Sequence, residues 1–395
     1  MSEASPVRPW SRALTWAVPP RDPGEEHRSS TPLELLFDLC FVVAVGQAAA
    51  DLHRSLSAGH VGHGLLSYAS VFFAIWWAWM NFSWFASAYD RDDVLYRLLT
   101  LVQMAGVLVL ATGVDAAFDH EDFTRMTIGY VIMRIPMTVQ WLRAAAGDPA
   151  RRTVALRYAA GLTVTQIGWV ARLALPSSLG LPSFLILVVC ELSVPMIAER
   201  GGPMTPWHPE HISERYGEFT LIVLGEAVMA TMIAAKASAL SFDNLLGGLG
   251  AMLLLFGIWW TYFDTPEGAE IVVTERNSWI WGYGHLPIFA AVAALGSGLT
   301  VGAEALDEGS SVSTVGAAYA VAVPLTVFLV VLAELHRRAS SRLSLGRRNL
   351  AKALGVLVVA ASVLIVPLQV TVLLLGVYLG LCVADNAWAA ARAQA

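Results

Sequence analysis

The sequence predicts an all-α polytopic membrane protein, and three observations predict it. Of 395 residues, 56% are hydrophobic and 14% charged, with a mean hydropathy of +0.59; soluble domains carry about a quarter charged residues. The apolar residues gather into runs of about 17 to 25, the length that spans a bilayer as a helix. The arginines fall on alternate loops between those runs, as they do when one side of a membrane is cytosolic.

Residues 1–30 are polar and proline-punctuated, with Arg8, Arg12, Arg21 and Arg28 and no apolar core of signal-peptide type, and read as a cytosolic tail. Twelve spans are expected after it: 33–52, 65–88, 95–114, 123–145, 154–175 and 181–198, then 213–235, 245–263, 280–301, 315–335, 350–366 and 368–390. The first opens on Thr31, Pro32 and Glu34, a cap, a first-turn proline and a carboxylate placed to close a capping box. Pro367 divides the last two into a hairpin. The expected inner loops collect Arg91, Arg143, Arg151, Arg200, Arg215 and the basic run from Arg337 to Lys352, whereas the opposite side holds Arg54, Arg125, Arg172 and Lys236. Both termini are therefore expected in the cytosol.

The chain states its theme twice. With Gly46 set on Gly225, Phe37 falls on Tyr216 and Gln47 on Glu226; IWWAWMN at 75–81 matches IWWTYFD at 258–264, and PMTV at 136–139 matches PLTV at 324–327. The expected layout is a first six-helix repeat over 31–200, a cytosolic linker over 201–212 and a second six-helix repeat over 213–395. An even number of spans per copy makes the repeats parallel.

Four stretches carry a family resemblance: LELLFDLCFVVAVGQ in the first span, WWAWMNFSWFASAYDRDD from the second, RLLTLVQMAGVLVLATGV in the third and HPEHISERYGEFTLIVLGEAV into the seventh. Together they resemble the bacterial low temperature requirement protein A (LtrA) family over about residues 31–390. Cys40 and Ala227 stand where valine and serine are common in that pattern. The resemblance implies a multi-pass protein of the bacterial inner (plasma) membrane, in a family named for a growth phenotype rather than a reaction.

At about 1.5 Å per residue, Arg134, Glu191 and Glu226 each lie roughly 15 to 17 Å into their spans, near the midplane of a core about 30 Å thick. Charges at that depth face the bundle interior and pair with one another. One arginine and two carboxylates leave one acid over, a candidate for proton or cation exchange; the bland alternative is an ion-paired lock. Asp38 and Glu218 each follow an acid by four residues on one helix face, and mark either an acidic inner vestibule or carboxylates favoured near helix N-termini. Secondary candidates are Gln47, Asp264, His285 and the tryptophans Trp76, Trp77, Trp259 and Trp260, an aromatic wall or plain packing.

The spacing of His53, His60 and His63, and of His208 and His211, is compatible with a metal, but without cysteines or a helical HExxH they read as satisfied loop histidines, and no metal is expected. No phosphate loop, dinucleotide fingerprint or Ser/His/Asp order occurs in a suitable loop, so no cofactor is expected and a nucleotide-driven pump is disfavoured. Cys40, Cys190 and Cys382 lie in apolar runs and behave as small hydrophobes. Two parallel halves with buried charge suit a secondary transporter or permease. An ion channel and a scaffold or lipid-handling protein are the alternatives. The expected partners are membrane lipids and a small solute or ion, with a homo-oligomer allowed and no nucleic acid.

Overall fold

The computed structural model describes residues 16–26, 28–237, 241–264, 275–307, 309–340 and 343–394. Among them the regular structure is helical throughout. In order the helices are α1 (Pro32–Ser57), α2 (Val61–Tyr89), α3 (Val94–Ala111), the short α4 (Val114–His120), α5 (Thr124–Gly147), α6 (Arg152–Arg172), α7 (Gly180–Glu199) and α8 (Pro209–Ala237). They continue as α9 (Phe242–Phe263), α10 (Glu275–Glu304), α11 (Thr314–Ser340), α12 (Leu343–Ala360) and α13 (Leu368–Gln394).

Nine helical stretches among the described residues are long and apolar enough to cross a membrane. The expectation of twelve exceeds this because α5 and α6 carry three arginines each, and the apolar part of α12 is short. Two local expectations are realised. Thr31 N donates to Glu34 Oε2 at 2.8 Å while Glu34 N donates to Thr31 Oγ1 at 3.3 Å, closing the capping box at the start of α1. A 3₁₀ turn over Ala361–Leu364 and Pro367 separate α12 from α13.

Exposure along the helices is inverted relative to a soluble protein. In α1, Leu39 and Val43 are more than half exposed while Glu34 and Asp38 are wholly buried. In α7, Ile186 and Val189 are each 63% exposed and Glu191 is buried completely. Apolar side chains outward and ionisable ones inward is the arrangement lipid imposes.

Two compact units make up the chain. The first comprises Met1–Cys40, Ala78–Gly113 and Phe123–His208. Within it α3 and α5 approach so closely at Gly129 that an added Cβ would lie 2.5 Å from the Leu110 backbone nitrogen, a contact only glycine permits. Trp141 and Tyr158 stack with centroids 4.1 Å apart. Residues 16–30, expected as a tail, are bound to this unit: Val18 N donates to Arg143 O at 3.2 Å and Arg21 N to Ala88 O at 2.9 Å. Arg28, which is buried, donates to the carbonyls of Ala86, at 2.8 Å, and Ser87. Those carbonyls belong to the last turn of α2, where intrahelical donors run out; Ala86 O also accepts from Asp90 N at 3.0 Å, and Arg28 completes the cap.

The second unit comprises Phe41–Trp77, Val114–Asp122 and Pro209–Ala395. Here Ser297 Oγ of α10 donates to Ala49 O of α1, and Tyr68 OH of α2 to Ala290 O, both at 2.7 Å. Gly250 of α9 lies against the Leu373 backbone of α13.

Candidate functional site

Arg134 and Glu191 meet in the first unit. Arg134 Nη2 lies 2.9 Å from Glu191 Oε2, with both side chains at most 5% exposed. Trp169 Nε1 donates to Glu191 Oε1 at 3.1 Å. Arg134 Nη1 reaches Asn81 Oδ1 at 3.4 Å, and its guanidinium sits 5.2 Å from the Tyr130 ring centre. Each carboxylate oxygen of Glu191 therefore has a donor, and the arginine has an acid, an amide and a ring. A buried pair held in this way is fixed by its own partners.

Glu226 lies in the second unit, on α8, in a different setting. It is half-buried, and among the described residues no hydrogen-bond donor or cation reaches its carboxylate. The carboxylate rests against Gly46 of α1, where an added Cβ would come within 2.7 Å of Oε1. Gly46 thus supplies the space in which the acid stands. The next residue, Gln47, donates from Nε2 to Asp115 and, at 3.4 Å, to Asp51. Asp51 is buried and ion-paired to Arg54. Gln47 and Arg54 thus gather Asp51 of α1 and Asp115 of α4, a cluster the sequence reading passed over although Gln47, Asp51 and Arg54 share a face at helical spacing.

The other candidates divide by environment. Asp38 is wholly buried and accepts from Trp79 Nε1 at 2.8 Å. Glu218 is 20% exposed and lies 3.5 Å from Arg215. His285 is buried, directs Nδ1 to Trp281 O at 2.8 Å, and is ringed by Tyr216, Tyr262, Trp281 and Phe289. Trp76 and Trp77 are buried against Tyr283, whereas Trp259 and Trp260 are 46% and 51% exposed. Matching motifs do not give these pairs one environment. Asn81 lies within α2, while Asp264 follows the last residue of α9 and is exposed.

Arg143 and Arg215, expected in inner loops, belong instead to helices. Arg143 is fully buried in α5, pairs with Asp93 at 2.6 Å and donates to Trp16 O at 3.1 Å. Arg215 is fully buried in α8. Asp93 also caps α3, accepting from Tyr96 N at 2.8 Å, a role its place before an apolar run announces. His53 lies 2.8 Å from Glu304, His63 2.6 Å from Phe118 O and His208 2.8 Å from Glu25 O.

Inverted exposure, nine long apolar helices among the described residues and charges buried within them mark an α-helical membrane protein. Residues 29–384 match the family described as bacterial low temperature requirement A protein (LtrA), and the chain belongs to that family. It is also similar to an uncharacterized protein of Rhizobium meliloti (strain 1021), 26% identical over 289 residues that cover 68% of each chain.

Proposed function

We propose that this protein is a secondary transporter or permease of the bacterial inner membrane, in which Glu226 exchanges a proton or small cation. The proposed frame is twelve spans in two parallel six-helix repeats with both termini cytosolic. The observation that carries the reading is the lone, half-buried Glu226 carboxylate against Gly46. A carboxylate at midspan is costly, about 2.5 to 3.5 kcal/mol on insertion scales, and one without a fixed partner is free to bind and release. Arg134 and Glu191, paired with each other, serve here as a brace.

The test is electrical. Purified protein in liposomes is given proton, sodium and potassium gradients beside Glu226→Gln, a near-isosteric change. Wild type is expected to dissipate at least one gradient and the variant to lose this while eluting and melting like wild type. Saturating flux marks a transporter, and unitary currents would make it a channel. If no gradient is dissipated by wild type, the transport reading fails. The satisfied Arg134–Glu191 pair favours a scaffold in that event.

A further inference from the structure

A cavity of about 60 Å³ opens in the second unit among α9, α11, α12 and α13. Its polar lining is Thr261, Asp264, His336, Asn349, Lys352 and Asn386. By volume it takes a few waters, since roughly 10 to 15 Å³ holds one.

The electrostatics of this cavity are unbalanced. Lys352 is committed elsewhere: its Nζ lies 2.7 Å from Asp385 Oδ2, 2.7 Å from Asn386 Oδ1 and 3.2 Å from Cys382 O. Asp264 has no hydrogen bond or ion pair among the described residues. With Lys352 paired to Asp385 and His336 neutral, the Asp264 carboxylate leaves a net negative charge. Asp264 also stands at the C-terminal end of α9, where the helix dipole is itself negative and favours a cation. Across the cavity, Asn349 Oδ1 is buried without a hydrogen-bond partner. Buried acceptors of that kind call for an explanation, an ion among them. Thr261 Oγ1 donates to Gly257 O at 2.6 Å, which leaves its lone pairs available.

We propose that this cavity binds a small monovalent cation through the Asp264 carboxylate, Asn349 Oδ1 and the Thr261 hydroxyl. Beside the His336 ring, the acceptors in the lining are oxygens, with one carboxylate that has no ion pair among the described residues, which suits a singly charged ion. Divalent calcium takes six to eight oxygens, typically with several carboxylates. Ammonium and hydrated sodium or potassium share the required chemistry. The inference does not depend on Glu226 or on transport.

The test is a thermal-unfolding titration of the full chain in detergent with ammonium, sodium and potassium chloride. N-methylglucamine chloride serves as the ionic-strength control. A ligand of the folded state raises the melting midpoint saturably. At least one of the three cations is expected to do so where glucamine does not. Asp264→Asn, a change at an exposed position that should fold, is expected to weaken the apparent affinity by about tenfold or more. Asn349→Ala is expected to weaken it less. The proposal is overturned by no specific shift in wild type or by an unaltered response in Asp264→Asn.

Discussion

Two carboxylates at similar depth in their helices meet opposite fates. Glu191 is enclosed, with a guanidinium on one oxygen and an indole N–H on the other. Glu226 faces a glycine and, among the described residues, has neither donor nor cation. The cost of burying charge is met in the first case by fixed partners, which remove any freedom to exchange. In the second the cost is left standing, and only a proton or an ion can relieve it. Burial alone therefore does not mark a working acid.

The largest effect should come from breaking the satisfied site. Arg134→Met or Glu191→Leu strands the other charge in an apolar setting, and each is expected to cost about 3 to 5 kcal/mol. Denaturant or thermal unfolding in detergent reads this out. The double variant, with no charge left to strand, is expected to be more stable than either single one. If the singles are near-neutral, Arg134 and Glu191 are not a brace and the contrast with Glu226 collapses.

Asp90, beyond the end of α2, sits between these extremes. Burial and the nearby Glu34 carboxylate push it up to about 6, against the Asp92 amide, Arg21 at 3.9 Å and Arg28. Arg28 is itself held below its ordinary range, first by burial and then by Arg21. The folded carboxyl holds its proton to a higher pH than the unfolded one, whose ordinary value is 3.8. Its contribution is therefore fully present below about 4 and is lost as pH rises to about 6 and beyond. At about 1.4 kcal/mol per unit, the loss is on the order of 2 to 3 kcal/mol. Unfolding measured from pH 4 to 7 should show that slope in wild type and a shallower one in Asp90→Asn. An equal slope would mean that Arg21 and Arg28 neutralise Asp90 as fully as Arg134 neutralises Glu191.

Legibility followed range. The capping box of Thr31 and Glu34 and the break at Pro367 could be read directly, because each is written within four residues. Arg134, Glu191 and Glu226 stood out because a charge inside an apolar run is rare. Their pairing did not, since all three lie at similar depth and contacts between distant helices leave no trace in spacing. Arg143 and Arg215 lie two residues inside the cytosolic ends of the expected spans 123–145 and 213–235, where the positive-inside pattern counts a charge with the loop, and hydropathy does not tell a lipid-face charge from a buried one. The hold on residues 16–26 and 28–30 has no signal in spacing either: it runs through backbone groups, Arg28 and side chains far along the chain such as Arg143 and His208. The repeated tryptophan motif gave the residues but not the face, so Trp76 and Trp259 end on opposite sides of the buried–exposed divide.

The smallest stability effect tests the comparison most closely. Gly46 and Gly225 occupy matching positions in the repeated sequence, yet a Cβ at Gly46 would crowd the Glu226 carboxylate and one at Gly225 meets nothing within 4 Å. The crowded group is the far end of a flexible side chain, so Gly46→Ala should cost no more than about 1 kcal/mol, the scale of one strained rotamer. Gly225→Ala should gain up to about 1 kcal/mol from helix propensity. The carboxylate survives in both, but only the first displaces it. Flux in liposomes is therefore expected to fall in Gly46→Ala and to hold in Gly225→Ala. Equal flux in the two would mean that the acid acts from no fixed place, and that the space kept by Gly46 is packing alone.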